Sequence, residues 1–523
     1  MVIPNINPPL PLITSKFIRK KELTMEHRLH IAFTALMDNS WGIITKLAKD
    51  YRICRPFVYT LHDKLYQAAN VIFGDKTTET EHPDKELTIR KKAIEVALIL
   101  RLIGKCSITA TSEIMKRLGY SYNSVGSISQ ILNQIGSALP EDIVPEEGCV
   151  IYVYLASDEV YSHSRPILIS ADPLSSTIIK IELGESRKTC VWIEHFNKIQ
   201  NNGIAIVKII SDEGIGLTGA TEKLNIPRQS DTFHAISHRL GKWVNSMYDA
   251  ACAKINEEYH QIEMFYSAKT EKSMQKRLDL YISAQKEANE AIELYDYFRF
   301  LYNWIIENLR VFDNNGELNN RNEAEEIIRM VLDVMITFPV KKLQKTVNSI
   351  YKLLDGLLDY LDTARKVTYL LKNEHEIPEY LIKLFSLLWQ YERNQIKAKK
   401  NTRLKYYKTK KQKLISLLKE ILNEEFEEMK DLIYSKLDTI VQSSAIVENI
   451  NSMIRDYLNT SRNHIQQNML NLIMFYHNHR RYKAGKRKGK TPMELLTGRK
   501  QEEDWVELLC QEVDINKILQ KAG

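Results

Sequence analysis

The spacing of hydrophobic residues divides the chain into a helical start, a short β-rich segment and a long helical remainder. Between residues 149 and 214 the period is that of strands: CVIYVYLASDEVY, RPILISADP and TIIKIELGE are rich in Ile, Val and Tyr and are separated by turn residues. A helical segment, KTCVWIEHFNKIQNN, follows, and IAIVKIISDEG predicts a fourth strand. A short helix at GATEKLN and a fifth strand near RQSDTFHAI complete the predicted sheet.

Helical periodicity occupies both flanks of the strands. Near the N-terminus, WGIITKLAKDYRICRPFVYTLHDKL predicts a helix-turn-helix with its turn at residues 51–54 and a second helix that begins at Arg55 and would face a major groove. ITATSEIMKRLGYSYNSVGSISQILNQIG repeats this design around Gly119. A small helical bundle without DNA contacts explains both segments equally well. Residues 237–435 are amphipathic throughout and too many for a loop, so we predict an inserted helical domain.

The segment SSAIVENINSMIRDYLN, residues 443–459, predicts one amphipathic helix. Its apolar positions recur at steps of four, three and four and predict a buried stripe: Ile446, Ile450, Met453 and Tyr457. The opposite face is polar: Glu448, Ser452, Arg455 and Asn459. A solvated face accounts for these residues as simply as a functional one. However, two predicted strands upstream each end in an aspartate, Asp158 and Asp212, and a helix-borne glutamate would complete a three-carboxylate metal site.

Composition changes this picture locally. The chain has 73 Lys and Arg against 66 Asp and Glu, a net charge of +7, which permits a nucleic-acid partner without requiring one. The excess is concentrated in KAKKNTRLKYYKTKKQK at 397–413 and RRYKAGKRKGK at 480–490. The six cysteines stand singly, without a C-x-x-C pair, which argues against a zinc module and suits a reducing cytoplasm. No apolar run is long enough to span a bilayer, and the proline-rich start predicts a flexible lead.

The strand order, the strand-end aspartates and the glutamate helix resemble DDE transposases, the ribonuclease H-like recombinases that include insertion-sequence transposases and retroviral integrases. The resemblance covers about residues 149–498, through ASDEVY, ISDEG, VENINSMIR and the ending FYHNHRRYKAGKRKGKTPMELLTG. The chain departs from integrases in the 236 residues between Asp212 and Glu448; several groups of cut-and-paste transposases carry an insertion, often helical, at this place.

The resemblance implies an α/β ribonuclease H-like catalytic core with a mixed five-stranded sheet, interrupted by a large all-α insertion and preceded by an α-helical helix-turn-helix DNA-binding region. The predicted divisions are a flexible lead at 1–24, tandem helix-turn-helix modules at 25–145, the first part of the core at 146–236, the insertion at 237–435, the second part of the core at 436–500 and a helical tail at 501–523.

The resemblance also assigns the chemistry to Asp158, Asp212 and Glu448. These catalytic residues would hold two Mg²⁺ ions, for which Mn²⁺ would substitute, because in-line displacement at a phosphodiester builds charge on both the attacking and the leaving oxygen. Asp158 would bridge the ions, Asp212 would hold one and Glu448 the other. The implied DNA contacts share a basic or hydroxyl side chain: Arg455, Ser452, Arg55, Lys405, Lys408, Lys410, Lys411, Arg480 and Arg481.

Each aspartate has a neighbouring rival. Glu159 and Glu213 follow directly in sequence, but successive strand side chains point to opposite faces, so at most one of each pair serves. We choose the aspartates because each directly follows a hydrophobic strand. Asp231 and His234 would lie near the site at the end of the fifth strand, where a structural role competes with metal binding. Asp172 is predicted to be a turn residue.

The function implied is a DNA transposase that binds double-stranded terminal inverted repeats, cleaves there and joins the ends to target DNA. It would act as a homodimer or larger multimer in a prokaryotic cytoplasm, associated with the nucleoid. One alternative is a domesticated, non-catalytic sequence-specific DNA-binding protein. Another is a ribonuclease H-like nuclease without strand transfer, which fits the acids but not the insertion. The presence of all three acids and Arg455 favours the transposase.

Overall fold

The computed structural model describes residues 23–73 and 84–513, except 39, 41 and 121, and gives only the backbone of 70–73, 84–88, 233 and 355. The chain divides into two compact units between Glu86 and Leu87. Most of the predicted N-terminal lead, and residues 514–523 of the predicted tail, lie outside the described residues. In the described part, no helix combines the length and apolarity needed to cross a membrane.

The first unit has three helices around a small core. The helices are α1 (Met25–Met37), α2 (Ile43–Asp50) and α3 (Arg55–Phe73). The core includes Ile31, Leu47 and Val58, and its cohesion comes from burying one apolar face of each helix. Arg55 is exposed at the start of α3, after a turn in the position that the sequence predicts. The helices and their turn therefore agree with the predicted pattern, while DNA binding by this unit stays a prediction.

The second unit contains the predicted five-stranded mixed sheet. Its order is β3-β2-β1-β4-β5, with β1, β2 and β3 antiparallel neighbours and β4 parallel to both β1 and β5. This order agrees with the ribonuclease H-like arrangement that the sequence predicts. The strands are β1 (Ile151–Ser162), β2 (Arg165–Ala171), β3 (Ile178–Leu183), β4 (Ile204–Ser211) and β5 (Arg228–Ser230).

Each face of this sheet has its own core. Leu155 of β1 packs in the core that contains Trp192 and Phe196, whereas its neighbour Ala156 packs in the core that contains Ile450. This alternation is the period-two pattern of a strand buried on both sides. The first face is covered by α7 (Thr189–Asn201) and α8 (Ile215–Lys223), and the second by α18 (Ala445–Thr460) and α19 (Gln467–His479).

Three helices that the sequence analysis grouped with the N-terminal modules pack within the second unit. They are α4 (Asp84–Leu102), α5 (Ile108–Arg117) and α6 (Val125–Ala138). The backbones of α6 and α19 approach so closely that a Cβ at Gly136 would lie 2.1 Å from the carbonyl oxygen of Asn468. Tyr457 of α18 donates a hydrogen bond to the carbonyl of Leu102 at 2.7 Å. These helices therefore form part of the wall behind the sheet.

The predicted insertion is a helical domain with a core of its own. That core runs from Ala235 to Ile440 and includes Phe298, Leu361 and Phe385. A π-helical turn, Phe233–His238, leads from the sheet into the insertion. Its helices are α9 (Arg239–Tyr266), α10 (Glu271–Asn308), α11 (Arg321–Ile336), α12 (Lys341–Tyr351), α13 (Leu354–Leu357), α14 (Asp359–Asn373), α15 (Glu379–Lys397), α16 (Asn401–Leu422) and α17 (Phe426–Leu437). The chain ends with α20 (Pro492–Thr497) and α21 (Trp505–Glu512).

Candidate active site

Asp158 and Asp212 lie on neighbouring parallel strands. Asp212 directly follows the end of β4 as predicted, but Asp158 lies inside β1, which continues to Ser162 because it pairs with β2 beyond the aspartate. Ala156 of β1 pairs with Ile210 of β4, so the residues two positions further on are also level with each other. Burial, together with the negative charge of Asp212, raises the pKa of Asp158. The parallel pairing of β1 with β4 thus brings the two aspartates together although they are 54 positions apart in sequence.

Neutral donors hold these two carboxylates. The side-chain amide of Asn451 donates to Oδ2 of Asp158 at 2.7 Å, and the backbone N–H of Gly214 donates to Oδ1 of Asp212 at 2.9 Å. Among the ion pairs of the described residues, none includes either aspartate. The two acids therefore face each other without a compensating cation bonded to them.

The rival glutamates are paired with arginines. Arg187 lies 3.7 Å from Glu159, and Arg239 forms an ion pair with Glu213. Burial and the charges of both aspartates raise the pKa of Glu159 to about 6, although the positive charge of Arg187 by itself lowers this pKa. Burial likewise raises the pKa of Glu213, which Arg239 opposes. This difference in partners supports the choice of the aspartates over the glutamates.

Glu448 lies in the first turn of α18 and is bound to His234. His234 Nε2 is 2.8 Å from Glu448 Oε1. The charge of His234 also lowers the pKa of Asp158, so this ring lies within electrostatic reach of both acids. His234 lies in the π-helical turn after β5, and its bond to Glu448 connects that turn to α18. Across the described part of the chain, however, no three His, Cys, Asp or Glu side chains converge closely enough to hold a metal ion as they stand.

Asp231 and Asp172 have structural partners. Asp231 accepts hydrogen bonds from the backbone and hydroxyl of Ser444, and from the backbone N–H of His234 at 3.1 Å. It therefore fastens the end of β5 to the residue before α18, which is the structural alternative considered for it. Asp172 accepts from the backbone of Ser175 at 2.7 Å, as expected of a turn residue.

The buried face of α18 differs from the predicted stripe. Ile450 and Tyr457 are buried as expected, but Ile446 and Met453 are only half-buried. The positions buried instead are Val447, Asn451, Ile454 and Leu458. Residues of α18 share one hydrophobic core with the sheet and with α4. Because the helix packs against both, its buried face is broader than the predicted stripe and is rotated from it. The predicted polar face of α18 is accessible, and its residues Ser452, Arg455 and Asn459 are exposed.

Asn451 is the site residue that sequence reasoning missed. It belongs to neither the apolar stripe nor the polar line of α18, and an isolated asparagine carries no recognisable signal. Its side chain is buried, and one atom of it, Oδ1, has no hydrogen-bond partner among the described residues. The side-chain N–H of Asn451 donates a hydrogen bond to Asp158 and so fixes the orientation of that carboxylate.

The predicted DNA-contact residues differ in availability. Lys405, Lys408 and Lys410 are exposed on α16, whereas Lys411 is 3.4 Å from Glu392. Arg480 is half-buried, with its guanidinium 5.3 Å from the centre of the Tyr476 ring. The guanidinium of Arg481 is bonded to Glu494 and to the carbonyls of Gly489 and Gln501. These bonds connect the segments before and after α20, and a DNA contact by Arg481 stays a prediction.

Comparisons with known proteins add little to this geometry. No protein-family model and no curated protein matches the chain. One solved structure, described as the Drosophila P element transposase strand transfer complex, matches at 13% identity and a TM-score of 0.32, covering 72% of this chain and 98% of that chain. A likeness of this strength leaves the family of the chain to be argued from its own residues.

Proposed function

We propose that this protein is a DDE-type DNA transposase that cleaves DNA strands and joins them to a target. The observation that carries the proposal is the pair of uncompensated carboxylates, Asp158 and Asp212, level with each other on parallel strands and backed by the helix of Glu448. A structural carboxylate at such a place is normally paired with a cation, as Glu159 and Glu213 are.

The donor set fits a hard divalent cation. Asp158 and Asp212 offer carboxylate oxygens whose mutual repulsion a dication would relieve, and oxygen ligands are those that Mg²⁺ takes. Glu448 would join them by exchanging its bond to His234 for the metal. Once bound, two Mg²⁺ ions, or Mn²⁺ in their place, supply stabilisation of charge on the phosphodiester oxygens. Asn451 keeps Asp158 oriented, and His234 holds Glu448 near the site before loading.

The DNA partners in this proposal are the terminal inverted repeats of the element and the target duplex. Arg55 at the start of α3, and the exposed lysines of α16, are positioned on accessible helix surfaces and carry the charge that phosphates require. Ser452 and Arg455 follow Glu448 on the polar, accessible face of α18 and would contact the DNA strand that is being cut. Joining two ends requires two active sites, so the working form would be a homodimer or a larger multimer.

Amide substitutions of the three acids test the proposal. Asp158→Asn, Asp212→Asn and Glu448→Gln each keep side-chain size but remove a ligand charge. We expect Mg²⁺-dependent cleavage of end DNA to fall by about a thousandfold or more, since metal-held charge supplies several kcal/mol of the transition-state stabilisation. Gel assays of cleavage and of end binding, run on the same variants, separate loss of chemistry from loss of binding.

The matched controls are Glu159→Gln and Glu213→Gln, which change the adjacent carboxylates. These variants are expected to retain most of the cleavage activity. If Asp212→Asn cleaves normally while Glu213→Gln is inactive, the assignment within that pair is wrong. If none of the five substitutions affects cleavage, or the wild type binds ends and never cuts them, a non-catalytic DNA-binding protein replaces the transposase.

A further inference from the structure

A cleft of about 760 Å³ opens where the insertion meets the start of α18. The helix α18 contributes Glu448 and Asn449 to its lining, and the last turns of α15 contribute Arg393 and Lys397. Leu309 and the exposed Ile396 add apolar surface. The cleft thus joins basic and apolar groups to the carboxylate that we place in the catalytic triad.

Arg393 is held in a fixed orientation. Its guanidinium lies 4.3 Å from the centre of the Trp389 ring, and the indole Nε1 of Trp389 donates to Oδ1 of Asp438 at 3.0 Å. The other oxygen of Asp438 accepts from Lys486 at 2.6 Å. The acid nearest to Arg393 therefore already has two donors, and the cation–π contact leaves the guanidinium edge available.

Arg393 and Lys397, the two cations that α15 contributes to the cleft, differ from Lys383 of the same helix, which is ion-paired with Glu317 and Glu379. Among the described residues, no ion pair involves Arg393 or Lys397. Burial lowers the pKa of Arg393, and burial together with the charge of Arg393 lowers the pKa of Lys397, although the Lys397 side chain is largely exposed. Two like charges one helical turn apart repel each other, so a bound anion would stabilise both.

The cleft also continues into a basic surface. Lys397 ends α15, and Lys399, which also lines the cleft, lies in the three-residue connection to α16. From there the exposed side chains of Lys405 and Lys408 extend the positive charge along α16. Asp231 and Glu448 make the inner end of the cleft acidic, whereas Lys397, Lys399 and the lysines of α16 make its outer end basic.

We propose that this cleft binds an unpaired, single-stranded stretch of DNA beside Glu448, with its phosphates on Arg393 and Lys397. A volume of this size suits a drug-sized group, about one or two nucleotides, whereas a duplex would need an open groove. Cations mixed with apolar side chains are the chemistry that single strands select, because unstacked bases need apolar contact. The inference rests on the proposed function, since it assigns to this cleft the strand that leaves the cutting site.

Fluorescence anisotropy with two labelled DNAs tests the inference on the full-length protein. One DNA is a blunt duplex, and the other is the same duplex with an unpaired extension of about five nucleotides. We expect the wild type to bind the extended DNA about tenfold more tightly, a preference consistent with stacking or contact of one base. In the double variant Lys397→Gln/Lys399→Gln this preference should fall below about twofold, while affinity for the blunt duplex changes little.

Two further variants make the result decisive. Lys272→Gln/Lys276→Gln removes two exposed lysines from α10 and should leave both affinities unchanged. Arg393→Gln should also abolish the preference, and its thermal unfolding is measured alongside because Arg393 packs on Trp389. Equal losses for both DNAs, or a wild type without preference for the extension, would overturn the inference. A preference that depends on Lys397 in a protein that never cleaves DNA would instead overturn the proposed function alone.

Discussion

Asp158 and Glu159 are adjacent in sequence and meet different environments. Strand alternation turns Asp158 toward α18, where it receives the amide of Asn451, and turns Glu159 toward Arg187 beside α7. Both carboxylates are partly removed from water, and the charges of Asp158 and Asp212 raise the cost of ionising Glu159. Glu159 therefore has an arginine 3.7 Å away, whereas Asp158 has no ion pair among the described residues.

Replacing Glu159 with glutamine is expected to stabilise the protein at neutral pH and not under acid conditions. The folded-state pKa of Glu159 is raised from 4.5 to about 6, so its contribution to stability is fully present below 4.5 and is lost as the pH rises through 6. At pH 7.5 the variant should gain up to about 2 kcal/mol in free energy of unfolding, because each pKa unit is worth about 1.4 kcal/mol.

Urea titrations of both proteins between pH 4.5 and 7.5, without divalent metal, measure this difference. The advantage of Glu159→Gln should grow between pH 4.5 and about 6 and level off above that. A constant difference at every pH would mean that the loss of the Arg187 contact, rather than titration of Glu159, sets the effect.

The helix α16 carries its charge in two different ways. Lys411 lies 3.4 Å from Glu392, and Lys410 lies 5.8 Å from the centre of the Tyr406 ring. Lys405 and Lys408 are exposed, and neither forms an ion pair with another described residue. An exposed lysine is explained as simply by a solvated helix face as by a DNA-binding surface. The salt dependence of DNA binding distinguishes these two explanations.

Neutralising Lys405, Lys408 and Lys410 together is expected to weaken binding to long end fragments and to flatten its salt dependence. The slope of log affinity against log salt should decrease by about two to three, since each phosphate contact contributes about 0.9. Filter binding at several salt concentrations measures it. The control triple Lys269→Gln, Lys272→Gln and Lys276→Gln removes the same charge around the start of α10. Equal slopes for the wild type and the α16 triple would identify the run as a solvated face.

The insertion has a hydrophobic core of its own within the second unit. Its core residues, from Ala235 to Ile440, pack against one another and against partly buried neighbours within the same range. Its two ends are close, because the backbone N–H of Thr232 donates to the carbonyl of Gln442 at 3.3 Å. A domain can be inserted at such a point without disturbing the sheet, since the chain leaves and returns at one place.

Residues 235–440 expressed alone are therefore expected to fold. They contain a complete hydrophobic core, which is the requirement for independent folding. Circular dichroism should show a helical spectrum and a single cooperative thermal transition. Phe385→Ala, which empties a fully buried position, should lower the midpoint of that transition, with a cost of about 3 to 5 kcal/mol. A gradual melt without a transition would show that the insertion depends on the rest of the chain.

The sequence by itself determined the strands, the helical insertion and the accessibility of Glu448, Ser452 and Arg455. These features follow from local periodicity and chain order, because burial on one face imposes a repeat that a single segment displays. The same information did not determine which side of α18 is buried, because Ile446 and Met453 fit a helical spacing as well as Val447 and Ile454 do.

Only the tertiary structure decided which charges meet. The amide of Asn451 on Asp158, the arginines on Glu159 and Glu213, the bond between His234 and Glu448 and the cationic cleft at Arg393 all join residues that are distant in sequence or carried on separate elements. Such contacts leave no periodic trace, because each depends on a single side chain reaching across a packed interface. Which carboxylates have an arginine beside them, and which do not, is therefore a property of the folded chain.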